Sequence, residues 1–176
     1  SIIIPSIILI LEHKNIDIIN EAKFLKVKIY LARGDLKKAK DELLSIIDKN
    51  PNNYNAHKYL AGIYEKEGGI RKAIDEYVRC IEINKKDYDS YYKVAVLLNE
   101  SERKEEAIEM LYGLLDKNPN YYNATITLGD LLIETERFKD AVSILTEALK
   151  YNPTSFDINY QLGLAYTLLN DFNSAK

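Results

Sequence analysis

The 176-residue chain is 47% hydrophobic and 29% charged, enough apolar material for a continuous core and too much for disorder as its main state. A formal net charge of -3 and a pI near 5.5 leave no overall positive field to gather phosphate backbones or anionic lipid, so no nucleic-acid partner is expected. The single cysteine, Cys80, excludes an internal disulfide and fits a reducing, cytoplasmic compartment.

The opening stretch SIIIPSIILIL lacks a basic flank and a small-residue cleavage site. Its roughly ten apolar residues fall short of the about 20 that a membrane-spanning helix needs, so no membrane span is expected in this segment. Residues 1–19 read instead as an N-terminal helix, a degenerate half repeat or cap, starting near Pro5, whose ring suits a first helical turn.

From residue 20 onward the sequence repeats. Ala39, Ala73, Ala107, Ala141 and Ala175 lie 34 residues apart without exception. Asn50, Asn84, Asn118 and Asn152 keep the same interval, three of them followed by proline, at Pro51, Pro119 and Pro153. Tyr30, Tyr64, Leu98, Leu132 and Tyr166 form a third column, and Leu43, Tyr77, Leu111 and Leu145 a fourth. A fifth is compact: Val27, Ala61, Ala95, Gly129 and Gly163.

Apolar residues at helical spacing, such as Leu128, Leu131 and Leu132 and then Ala141, Ile144, Leu145 and Ala148, predict two helices per period. The small columns let their backbones approach closely. The stretches ARGDL, KEGGI, NESER, ETERF and LNDF are the expected breaks between the two helices, with Asp35 and Asp171 as N-caps of the second. The Asn-Pro stretches are the expected corners between periods, because proline drives the preceding residue out of helical geometry and cannot continue the ladder.

These columns resemble the tetratricopeptide repeat family, most closely in LGDLL through Pro153 and in LAGIY with Ala73 and Tyr77. The resemblance implies an all-α fold, a right-handed α-solenoid (superhelix) of stacked antiparallel helix pairs with a 34-residue period. Repeats are expected at 20–53, 54–87, 88–121 and 122–155, with a truncated fifth at 156–176. The family's large first-helix residue is replaced here by Lys23, His57, Tyr91, Thr125 and Asn159. The related pentatricopeptide arrays, which read RNA, use a longer period and need a basic groove that this acidic chain does not offer.

Several local patterns carry no chemistry. DKNPNN and DKNPNY place oxygen-bearing residues like the start of a calcium loop, but the required Gly and Glu are Asn53 and Tyr59 in one copy and Tyr121 and Thr127 in the other. His13 and His57 lack metal-ligand spacing and read as surface or half-buried helix residues. Cys80 shares an apolar column with Ile46, Leu114 and Ala148 and reads as an inert core thiol. The carboxylates of RKEEAIE and IETERF sit among lysine and arginine on polar faces. Asn99 and Asn123 satisfy a glycosylation pattern but fall in predicted helices. Tyr54, Tyr88, Tyr122 and Phe156 open successive repeats and are expected to pack at the junctions. No catalytic residue, cofactor or metal site is expected.

In the family the first helices line a concave groove. Carried over residue by residue, the resemblance implies a peptide-binding strip made of Phe24, Lys28, Lys58, Tyr59, Tyr92, Lys93, Val96, Asn123, Ile126, Thr127, Asp130, Tyr160, Gln161 and Leu164. The aromatic and aliphatic members offer apolar contacts, and the lysines and Asp130 set direction. At the positions where the subfamily that clamps chaperone C-terminal carboxylates needs basic residues and asparagines, this chain has Phe24, Lys28, Tyr59, Asp89 and Lys93; only Lys93 is basic where a base is needed and the asparagines are missing, so a chaperone tail is not the expected ligand. The expectation is a noncatalytic scaffold binding a protein or peptide segment. The alternatives are a regulatory or substrate-recruiting arm of a larger enzyme and a self-assembling structural solenoid. YQLGLAYTLL stands without its usual cover, so end-to-end self-association of the isolated chain is also expected.

Overall fold

The computed structural model of the protein describes residues 18, 19 and 21–174, with side chains up to Asn170. The expected start of an N-terminal helix near Pro5, His13 and Ala175 lie outside the described residues. Every regular element among the described residues is an α-helix: α1 over 21–32, α2 Leu36–Lys49, α3 Tyr54–Lys66, α4 Ile70–Ile83, α5 Tyr88–Glu100, α6 Lys104–Lys117, α7 Tyr122–Glu134, α8 Phe138–Ala148 and α9 Phe156–Ser174. The helices fall into two compact units that divide after Asn84, α1–α4 in the first and α5–α9 in the second. Within each unit neighbouring helices pack as pairs, and the fold is an all-α helical repeat array.

The turn inside each pair is built the same way four times. Gly34, Gly68, Glu102 and Glu136 adopt the left-handed conformation at φ of 74°, 72°, 61° and 58°. The residue after each donates its N–H five positions back, Asp35 to Tyr30 at 2.9 Å, Gly69 to Tyr64 at 2.8 Å, Arg103 to Leu98 at 2.9 Å and Arg137 to Leu132 at 2.7 Å. This is the Schellman closure, which satisfies carbonyls that the helix end would otherwise strand. The tyrosine and leucine column therefore supplies the acceptor of every turn. Asp35 also caps α2, accepting from the Lys38 N–H at 3.1 Å, as its position predicts. Gly69, Arg103 and Arg137 open their helices without a side-chain cap bond.

The expected fifth break does not occur. Asn170 takes the place of Gly34 and Gly68 in the period, yet α9 runs through LNDF to Ser174, so Asp171 lies within a helix rather than capping one. Asparagine reaches the left-handed conformation more readily than the glutamates that hold it at 102 and 136, so the residue type alone does not account for the unbroken helix. Among the described residues no further helix follows α9.

The corners between pairs are extended, with Asn50 at φ -140° and Asn118 at φ -142°, as expected for residues before proline. Asn84 adopts φ -129° although Lys85 follows it, so the corner persists without the ring. Its N–H closes α4 on Cys80 at 2.8 Å, as Asn50 closes α2 on Ile46 at 2.9 Å and Asn118 closes α6 on Leu114 at 2.9 Å.

Each second helix buries one stripe: Ala73, Ile74, Tyr77, Cys80 and Ile81 in α4, and the equivalent Ala107, Ile108, Leu111, Leu114 and Leu115 in α6. Ala39, Ala73, Ala107 and Ala141 have no exposed surface. In the compact column Val27, Ala61 and Ala95 are fully buried. Gly129 is buried too, and a Cβ there would lie 2.6 Å from Gln161 Oε1 and 3.1 Å from Leu145 Cδ2, so this close approach requires glycine. Gly163 departs from the column, exposed with nothing within 4 Å of its Cβ position.

His57 is not a surface residue. It is 5% exposed, with Nδ1 2.6 Å from Glu76 Oε2 and Nε2 2.9 Å from the Pro51 carbonyl. It occupies the column of the family's large first-helix residue, which points at the second helix of its own pair. Lys23 in the same column likewise donates to Ser45 of α2 at 2.7 Å. Lys23 and His57 are tolerated in this column because each finds a partner.

Candidate functional site

The exposed faces of the first helices carry the sequence-derived candidates. In the first unit, α1 and α3 bring three of the four together. Phe24 and Tyr59 face each other with ring centroids 6.2 Å apart and planes at 42°. With Lys28 they line a cleft of about 390 Å³ that also includes Glu21, Leu25 and Asn55. Lys58 is not part of it: its ammonium lies 5.5 Å above the ring of Tyr77 on α4. A lysine placed between a cleft and an aromatic face is drawn to the ring quadrupole.

Leu25, Glu21 and Asn55 were legible as column members. Leu25 stands 34 residues before Tyr59, and Glu21, Asn55 and Asn123 share one column. Leu25 is 61% exposed, a large apolar side chain held in water at the cleft wall.

In the second unit, α5, α7 and α9 are joined across their first-helix faces. The Tyr92 hydroxyl shares a hydrogen bond with the Thr127 hydroxyl at 3.2 Å, and its ring lies 5.7 Å from that of Tyr121. Lys93, Val96 and Ile126 are half-buried, and Asn123 is exposed. Tyr160 is 63% exposed and stacks on Phe156 with centroids 6.2 Å apart, while Leu164 is 38% exposed one turn further along α9.

Gln161 differs from its neighbours. It is 5% exposed and packs between α9 and α7, its amide nitrogen donating to the Ile126 carbonyl at 3.1 Å and to Asp130 Oδ1. Its Oε1 is buried without a hydrogen-bond partner, against the Cα of Gly129. Gln161 thus fixes the register of α9 on α7 rather than offering a free amide. Burial against α9 pushes the Asp130 carboxyl above its ordinary value, the Gln161 hydrogen bond opposes that shift, and Glu134 adds to it. Much of Asp130 stays in water, so the desolvation falls on its α9-facing side.

Tyr88 and Tyr122 serve the junctions as their column predicts. The Tyr122 hydroxyl donates to Asp157 at 2.7 Å and meets the Ser155 hydroxyl at 2.9 Å, and the Tyr88 hydroxyl reaches the Lys117 carbonyl at 3.5 Å. Cys80 is a fully buried thiol outside any disulfide, its Sγ donating to the Tyr54 carbonyl at 3.9 Å. Among the described residues no group of three or more His, Cys, Asp or Glu could hold a metal ion, and no helix is long and apolar enough to cross a membrane.

Two tetratricopeptide repeat sequence models match the chain, one over residues 98–146 and one over residues 126–175. No curated protein matches. Among solved structures, a tetratricopeptide repeat protein from Parabacteroides merdae ATCC 43184 is similar at 22% identity and a TM-score of 0.75; the match covers 87% of this chain, which spans 61% of that protein's length. MamA from Desulfovibrio magneticus RS-1 is similar at 15% identity and a TM-score of 0.68, with 88% of each chain covered. YrrB, described as a TPR protein with an unusual peptide-binding site, is similar at 17% identity and a TM-score of 0.66, covering 82% of this chain and 74% of YrrB. At such identities the structural likeness speaks for the fold alone, and the matched sequence models carry the family assignment. Over residues 98–175, across helices whose turns recur in step, the chain carries tetratricopeptide repeats.

Proposed function

We propose that the chain is a noncatalytic scaffold that binds a peptide or protein segment on its first-helix faces. The observation that carries this reading is the cleft of about 390 Å³ in the first unit, where an aromatic pair, Phe24 and Tyr59, stands beside a lysine and the exposed Leu25. Aromatic anchors with charged neighbours are the usual composition of protein-binding surfaces. The second unit carries its own first-helix surface of Tyr92, Lys93, Val96, Asn123, Ile126, Thr127, Asp130, Tyr160 and Leu164, with Gln161 holding the α7–α9 register beneath them. Lys58 acts from the side, through Tyr77. The peptide-binding site ascribed to YrrB supports the same use of the fold. The repeat boundaries at 53/54, 87/88, 121/122 and 155/156, and a reducing cytoplasmic setting for Cys80, belong to this proposal.

The test starts by capturing a partner with the intact chain and identifying it. Calorimetry then compares the parent with Phe24→Ala/Tyr59→Ala and with Tyr92→Ala/Lys93→Ala, each checked for unchanged helical content. Hot-spot aromatics carry about 2 kcal/mol or more each, so a loss of at least roughly thirtyfold is expected from one pair or both. Undiminished affinity in both would overturn the groove assignment.

A second reading, self-association, is favoured by one observation: Phe156 and Tyr160 on α9 are 78% and 63% exposed. Sedimentation of the chain is expected to show concentration-dependent assembly that Phe156→Glu abolishes; a monomer at all concentrations would overturn it.

A further inference from the structure

We propose that the cleft between the C-terminal ends of α6 and α8 is a docking pocket for an arginine side chain of a partner protein. The site lies mainly on second helices, and its one lining residue from a first helix, Thr125, is buried and outside the surface described above, so it goes beyond the function proposed above. Its volume is about 330 Å³, room for one long side chain and part of its backbone. Leu115 and Ile144 form apolar walls, the buried Thr125 of α7 and Pro119 close it beneath, and Tyr112, Tyr151, Asp116 and Glu147 surround it with two rings and two carboxylates.

That combination matches a guanidinium better than other groups. Its planar, weakly hydrated face stacks on tyrosine rings, its fork pairs with carboxylates through two hydrogen bonds, and its three-carbon stem lies against aliphatic walls. A lysine ammonium is compact and strongly hydrated, and gains less from the rings. An anion meets two carboxylates and is repelled. Burial pushes the Tyr112 hydroxyl above its ordinary value, with Asp140 acting in the same direction and Arg137 opposing, so this wall presents a neutral phenol.

The cleft already draws one cation. Lys150 Nζ lies 2.6 Å from Glu147 Oε2, with the two side chains 66% and 53% exposed. An ion pair this exposed contributes little and exchanges readily, so an arriving guanidinium can replace it.

The experiment is an amide NMR titration of the full chain with three capped tripeptides, Gly-Arg-Gly, Gly-Lys-Gly and the neutral isostere Gly-citrulline-Gly. Saturable shifts are expected around Tyr112, Ile144 and Tyr151 with the arginine peptide, weaker binding with lysine, and none with citrulline. Asp116→Asn/Glu147→Gln should weaken the arginine peptide by about tenfold while circular dichroism stays unchanged. Lys150→Ala should strengthen it. Citrulline binding as tightly as arginine, affinity unaltered by the double substitution, or an unresponsive cleft would each overturn the proposal. Resonances of Phe24 and Tyr92 report the first-helix surfaces separately.

Discussion

Gly129 and Gly163 stand at equivalent positions one period apart, and their surroundings make the same substitution act in opposite directions. At Gly129 a methyl group displaces the Gln161 amide from Ile126 and Asp130 and presses on Leu145. Gly129→Ala is therefore expected to destabilise the protein by about 1–2 kcal/mol, the cost of disturbing a buried hydrogen-bonded group. At Gly163 the same methyl meets open space on a helix. Gly163→Ala should stabilise by up to about 1 kcal/mol through helix propensity alone. Urea unfolding of the two variants checks both signs.

Asp130 gives a prediction with a pH dependence. Its ordinary value is 3.8 and its folded value is raised, chiefly by burial, so folding takes up a proton between those two values. The carboxyl contributes most favourably below the unfolded value, and that contribution is lost as pH rises through the folded value. Asp130→Asn keeps an acceptor for Gln161 and carries no charge. It should be more stable than the parent at pH 7, with the difference closing as pH falls toward 3.8. A difference that instead widened in acid would contradict the assigned cause.

At the level of elements, the recurrent device is the left-handed turn. Gly34 and Gly68 use a residue that tolerates positive φ, whereas Glu102 and Glu136 hold it at a side-chain cost of roughly 1 kcal/mol. Glu102→Gly and Glu136→Gly should each stabilise by about 0.5–1 kcal/mol, and Gly68→Ala should destabilise by about 1 kcal/mol although nothing crowds its Cβ position. Thermal unfolding of the three variants tests whether backbone conformation sets the turn. Three variants with unchanged melting temperatures would show that helix packing alone holds it.

This device also explains what the sequence revealed and what it concealed. Helix positions were legible because the alanine, leucine and compact columns report burial directly. The left-handed turns at Glu102 and Glu136 were half concealed, since glutamate gives no conformational hint and only the period points there. LNDF carried the right register, yet α9 runs through it without a break. The candidate surface followed the same rule. Phe24, Lys28 and Tyr59 met as their columns imply, while Lys58 and Gln161 were turned aside by Tyr77 and Asp130, neighbours on other helices that a column does not see. His57 was misread for a similar reason: its burial depends on the distant acceptors Glu76 and Pro51.

For the molecule as a whole, the family places the chain among protein-interaction scaffolds, and its physical character agrees. The conserved geometry of turns and core uses the repeating residues, which leaves the non-repeating ones on the helix faces free to differ. Phe24, Tyr92, Ile126 and Tyr160 share a column with Lys58 and yet present four kinds of side chain, differing in size and charge. A surface that varies on a constant frame suits recognition of an extended, irregular partner.

Hydrogen–deuterium exchange of the intact chain, alone and with its captured partner, tests this claim most directly. Protection by the partner is expected in peptides from the first helices, over residues 21–32 and 54–66 and over α5 and α7, with lesser change in α2 and α4. Protection confined to second helices, with α1, α3, α5 and α7 unchanged, would contradict the account.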